Sequence, residues 1–211
     1  APATEAEVIG LLNSGAGLVL HAGHGNDDCW ERCLPSSALP SLQNADRLPV
    51  MVSAGCSTAN FAPLPPYTAY TDAQGREHAG TNHGEVFVEP PPPPACYQRG
   101  PLNTGGLGEA LLGARDSGAV AYIGCCTGSQ PCGLTLLEGF AIALGGSARP
   151  RLGDCWNDAI RHYHAAQRLD ALVPDDGWYP PSIFFQGMKF VVFGDPSLPL
   201  APTERSASTQ H

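Results

Sequence analysis

Two short apolar runs constrain this chain more than any other feature. The first is GLVLHAGHG over residues 17–25, and the second is LPVMVSAGCSTANF over residues 48–61. Each is too short for a stable helix and is bounded by Gly, Pro or polar residues, the pattern of a buried strand. Each ends in a chemically active pair, His24-Gly25 after the first and Gly55-Cys56 after the second. In an open parallel sheet, chemistry gathers at the carboxyl ends of the strands. Neighbouring strands lie about 5 Å apart, so the two pairs would meet at one sheet edge. A thiol and an imidazole there suit nucleophilic attack on a carbonyl, with the imidazole handling the proton. The glycines allow close approach of backbone or substrate. The amides of Gly25 and Cys56 are the candidates for an oxyanion hole.

The rest of the chain alternates helix and strand patterns. Thr4 with Glu7 fits a capping box, and Val8, Leu11 and Leu12 form one stripe, which predicts a helix over 4–13. Strands are expected at 17–21, 49–53, 119–124 and 189–193. Helices are expected from Leu107 to Ala114, Leu134 to Leu144 and Leu152 to Leu172, with a short one from Ser41 to Asp46. Such alternation argues for an α/β domain with a mainly parallel sheet flanked by helices. Residues 57–106 read as an irregular Pro-rich insertion, with Pro90 to Pro94 favouring a polyproline II segment. Residues 1–200 read as one domain, and the polar stretch 201–211 as a disordered tail.

Composition narrows the function. A net charge of −9 argues against a nucleic-acid partner, which needs basic patches. No apolar run approaches the length of a membrane span. Eight cysteines in 211 residues suit a disulfide-permissive compartment, with reduced buried cysteines as the other reading. At least one disulfide is expected among Cys29, Cys33, Cys96, Cys125, Cys126, Cys132 and Cys155, with Cys56 free.

The two pairs and their flanks also carry a resemblance. An apolar block, His-Gly, a second apolar block and a small residue before Cys are shared by caspases, legumains and gingipains. With GAVAYIGCC and the closing FVVFGDPSLPL, the chain resembles the gingipain-type cysteine peptidases over most of Val8 to Leu200. The resemblance implies a caspase-like fold, His24 as catalytic His and Cys56 as nucleophile. It implies a cysteine endopeptidase acting on a protein or peptide through a thioester acyl-enzyme, with no cofactor required. Calcium is open as a structural ion, without assignable ligands. A caspase-like sheet has strands before the one leading to His-Gly. The resemblance therefore implies either a domain truncated on its N-terminal side, with the remainder of the same precursor as a partner, or strands that belong to another chain. An extracellular or cell-surface location is favoured by cysteine content and resemblance.

Rival readings stay open at this point. Cys125 and Cys126 also follow a strand and compete with Cys56 as nucleophile. His83-Gly84 is a second His-Gly pair, in the irregular region. His21, His24, Cys29 and Cys33 have residue types that suit zinc, although their spacing is loose and the preferred reading assigns no metal. Asp27 and Asp28 read as a solvated turn. The alternatives to an endopeptidase are a catalytically silent interaction or secretion-associated domain of the same fold, and a zinc-stabilised binding module.

Overall fold

The chain begins with the capping box that its sequence specifies. Thr4 Oγ1 accepts from the Glu7 N–H, and the Glu7 carboxylate accepts from the Thr4 N–H at 2.8 Å. These bonds to Thr4 hold the Glu7 carboxyl below its usual value. They satisfy two donors that a helix start leaves unpaired and launch α1 (Glu5–Asn13), whose Val8 and Leu12 are buried. The computed structural model describes residues 2–61, 70–71, 75–78, 106–173, 177 and 179–200. The Pro90–Pro94 run, His83-Gly84, Cys96, most of the expected insertion and the tail from 201 lie outside the described residues.

After α1 come β1 (Leu18–His21) and three two-residue strands, β2 (Gly25–Asn26), β3 (Cys29–Trp30) and β4 (Leu34–Pro35). A 3-10 turn over Ser36–Ser41 leads towards β5 (Val50–Ser53). Further along are β6 (Tyr70–Thr71), β7 (Glu77–His78), α2 (Leu107–Gly113) and β8 (Ala121–Cys125). The chain continues with α3 (Leu134–Gly146), α4 (Leu152–Ala166), α5 (Tyr179–Phe185) and β9 (Phe190–Phe193). The main sheet has the order β1-β5-β8-β9. β1, β5 and β8 run parallel, and β9 closes the order antiparallel to β8. The four expected strands are therefore one mainly parallel sheet. The short helix expected from Ser41 to Asp46 is replaced by the turn at Ser36–Ser41. Pro40 lacks a donor N–H, and Asn44 is used elsewhere: its side chain bonds Gly118 N and O, each at 2.9 Å.

Contacts divide the chain into two compact units. One holds the described residues of Ala1–Pro131 with Met188–Phe193, and the other holds Cys132–Gly187 with the described residues from Gly194 onward. In the first, every residue of β5 and β8 is buried, as expected for strands covered on both faces. β1, at one end of the strand order, instead alternates and exposes Leu20. α1 and α2 flank the sheet through Val8, Leu12, Leu107 and Leu111, which share a core with Val19, Met51 and Tyr122. Each fully buried leucine contributes about 1.5–3 kcal/mol. Trp30, from the small β2-β3-β4 sheet, enters the same core and donates from Nε1 to Tyr122 OH at 3.0 Å.

In the second unit, Gly139 lets α3 approach α4. A methyl there would lie 2.9 Å from Ala159 Cα. Tyr163 ties α4 to α5 by donating to Ile183 O at 2.6 Å. The closing GDPSLPL segment docks on the start of α4: Leu152 N donates to Leu198 O, Gly153 N to Pro196 O, and the Arg151 guanidinium to Ser197 O. Among the described residues no helix is long and apolar enough to cross a membrane.

The seven described cysteines are free thiols, which corrects the disulfide expectation for this set. Their sulfurs have other partners: Cys125 donates to Thr127 O at 3.0 Å, and the Cys132 thiol lies 3.4 Å from the Tyr163 hydroxyl oxygen, which can accept from it while its own hydrogen goes to Ile183 O.

Candidate active site

The site grows from the last rung of the β1–β5 ladder. His21 pairs with Ser53 in register, and each strand then runs three residues further, to His24 and to Cys56. The two chemical pairs thus leave the sheet side by side at its carboxyl edge. Their backbones touch. A methyl on Gly25 would lie 3.1 Å from Gly55 Cα and 3.1 Å from Cys56 O, and one on Gly55 would lie 3.2 Å from Gly25 N. Only two glycines permit this approach. The β2–β3 ribbon directs the Gly25 amide. Glu31 N donates to His24 O at 2.9 Å, and bonded and non-bonded pairs alternate in an antiparallel ribbon. Gly25↔Trp30 is then a non-bonded pair, so the Gly25 N–H faces away from β3. The Cys56 N–H has no hydrogen-bond partner among the described residues.

Cys56 is half-buried, and the side chain of His24 is exposed. The Cys56 sulfur is held by Ser129: it accepts from Ser129 N at 3.3 Å and donates to Ser129 O at 3.6 Å. Two further bonds clamp the following residues to the end of β8, Ser57 N to Thr127 O at 2.9 Å and Ala59 N to Cys125 O at 3.0 Å. Between them Ser57 adopts a left-handed φ of 57°. Such a conformation is unfavourable for a non-glycine residue and persists where its surroundings enforce it.

Beneath the two loops lies a buried polar network. His21 Nδ1 is 2.9 Å from Ser53 Oγ. Ser53 Oγ also accepts from Gly55 N at 3.1 Å and from Thr58 Oγ1 at 3.3 Å. The His21 ring stacks on Trp30 with centroids 4.5 Å apart, and Trp30 leads on to Tyr122 OH. Burial lowers the His21 pKa to about 4, so the ring is neutral near pH 7. Burial also pushes the Tyr122 phenol up.

The rival nucleophiles separate by environment. Cys125 is fully buried, and burial is the main cause that pushes its thiol up to about 12. Cys126 is exposed. Among the described residues, no three His, Cys, Asp or Glu side chains converge in a way that could hold a metal. His21, His24, Cys29 and Cys33 form no such group. Asp27 is not the simple solvated turn expected. Its carbonyl accepts from Leu107 N at 2.5 Å, and its carboxylate accepts from Asn60 at 3.4 Å. Sequence reasoning missed Ser53, Thr58, Tyr122 and Ser129, and weighed His21 only as a metal ligand. One signal was present: His21 and Ser53 precede His24 and Cys56 by the same three residues.

Comparison with known proteins decides the family. The model of peptidase family C25 matches residues 1–201. The chain belongs to this family. No curated protein sequence matches this C25 chain. Among solved structures it is similar to the Arg-specific cysteine proteinase gingipain R, with a TM-score of 0.63 at 17% identity. It is also similar to the complex of the RgpB pro- and mature domains from Porphyromonas gingivalis, with a TM-score of 0.59 at 17% identity. Both likenesses cover 94% of this chain and 37% of the other. They establish the fold as caspase-like, and the C25 chain spans little more than a third of the length of these relatives.

Proposed function

We propose that this C25 chain carries the nucleophile and base of a cysteine endopeptidase. Cys56 attacks the scissile carbonyl of a protein or peptide substrate. His24 takes the thiol proton and passes it to the leaving amine, leaving a thioester. His24 then deprotonates the water that hydrolyses the thioester, and returns that proton to the departing sulfur. The N–H groups of Gly25 and Cys56 bind the oxyanion of both tetrahedral intermediates. No cofactor enters these steps.

The observation that carries this reading is the contact of the Gly25 backbone with Gly55 and Cys56, which brings the two chemical pairs together at the ends of parallel neighbours. The proposal extends to a partner from the same precursor, because one similar structure is a complex of pro- and mature domains. It extends also to an extracellular or cell-surface location, on the family assignment. Hydrolysis of a peptide library by the full-length precursor product tests the mechanism. Cys56→Ala and His24→Ala should each abolish turnover with the fold retained. Full turnover in folded Cys56→Ala would overturn it.

A further inference from the structure

The proposed pair shares one support. The His21 imidazole lies under both loops at once. A methyl on Gly23, the residue before His24, would sit 2.8 Å from His21 Nε2. A methyl on Gly55, the residue before Cys56, would sit 3.1 Å from His21 Cε1. The ring is therefore the floor against which both loops close. Its other contacts fix it in place: Nδ1 on Ser53 Oγ, and one face stacked on Trp30 at an interplanar angle of 9°.

Ser53 completes the device. A serine hydroxyl offers one donor hydrogen and two acceptor lone pairs. The Gly55 N–H can only donate, so it takes one lone pair. His21 Nδ1, Thr58 Oγ1 and the Tyr122 hydroxyl share what remains. All three capacities are engaged, and the described residues contain no buried side-chain N or O atom without a partner. The hydroxyl thereby ties the amide before Cys56 to the ring beneath the loop that carries His24. Both residues belong to strand ends, which hold geometry more tightly than loops do.

We propose that His21 and Ser53 are positioning residues that set the distance and aim of the Cys56–His24 pair. His21 itself neither touches substrate nor takes the thiol proton. This inference rests on the assignment of Cys56 and His24 given above. Misplacement by about 1 Å can cost a factor of about 10² in rate. The effect of loosening the rung should therefore fall on the chemical step and not on substrate binding.

The test uses three variants of the full-length precursor product. Ser53→Ala removes the shared hydroxyl. His21→Phe keeps a ring on Trp30 but loses Nδ1. His21→Asn keeps a polar group near the Nδ1 position. Two readouts are taken: exchange of the Gly55 amide by NMR, and kinact and KI for Cys56 with a peptidyl chloromethyl ketone. Ser53→Ala should speed Gly55 exchange and lower kinact at least about tenfold, with KI unchanged. His21→Phe should lower kinact likewise, and His21→Asn should recover part of it. Folded Ser53→Ala and His21→Phe with kinact at the wild-type value would overturn the proposal. So would a loss confined to KI. If the unmodified chain takes no label at Cys56, the catalytic reading fails separately. Gly55 exchange then still decides the tie: faster in Ser53→Ala supports it, and unchanged exchange refutes it.

Discussion

Acid should unfold this protein partly through His21, and the size of the effect follows from the structure. Burial lowers the pKa of the ring from 6.5 to about 4. Above pH 6.5 the ring is neutral in both folded and unfolded chains and contributes no pH dependence. Below that value the unfolded chain binds a proton that the folded chain refuses. Stability therefore falls as pH drops from 6.5 towards 4, and the contribution levels off below 4. A span of about 2.5 pH units at 1.36 kcal/mol each amounts to about 3 kcal/mol. The comparison that isolates it is between the wild-type chain and His21→Phe, which retains His162, His164 and every other titrating group. Urea unfolding is followed by far-UV circular dichroism at a series of pH values between 4 and 7.5. With a urea slope of about 2 kcal/mol/M, the wild-type midpoint should lose on the order of 1.5 M relative to the variant. Titration of the His21 ring protons by NMR gives the folded pKa independently. Parallel losses in the two proteins, or a ring titrating near 6.5, would refute the reasoning, because a solvated ring could not floor the two loops.

Three other outcomes follow from particular contacts. Tyr122→Phe removes the acceptor of the Trp30 Nε1–H inside the core and should cost about 1–3 kcal/mol in chemical denaturation; an unchanged midpoint would contradict that bond. Gly25→Ala places a methyl 2.5 Å from Thr58 Cγ2 and should cost about 1–3 kcal/mol, with slower labelling of Cys56; wild-type stability would mean the two loops are not in contact. Iodoacetamide at pH 7.5, mapped by mass spectrometry, should modify exposed Cys126 well before Cys125, whose burial pushes its thiol up to about 12; equal rates would contradict the packing of β8.

Much of this arrangement is legible in the residues themselves. The four strands are short apolar runs bounded by turn residues, and the Thr4–Glu7 capping box and the α3 and α4 patterns are local signals. Local signals end where pairing across the chain decides. The antiparallel direction of β9 depends on how the chain returns to β8, which no residue in FVVF specifies. The two-residue strands β2, β3 and β4 are too short for periodicity to register. α5 begins at Tyr179-Pro180-Pro181, prolines that read as a break in sequence yet are tolerated in a first helical turn. The proposed pair, His24 and Cys56, is visible because each ends an apolar run beside a glycine. Their support is not visible in the same way. Ser53, Thr58 and Tyr122 are ordinary residues until the fold places them within reach of one another. The disulfide expectation rested on a count of cysteines, and a count carries no geometry.

The decisive experiment is covalent capture. The full-length protein is incubated with a peptidyl chloromethyl ketone, digested and mapped by mass spectrometry, beside Cys56→Ala and His24→Ala. One equivalent of label on Cys56, lost in Cys56→Ala and strongly slowed in His24→Ala, is the predicted result. Label on Cys125 or Cys126 that persists in Cys56→Ala would contradict the assignment of the nucleophile.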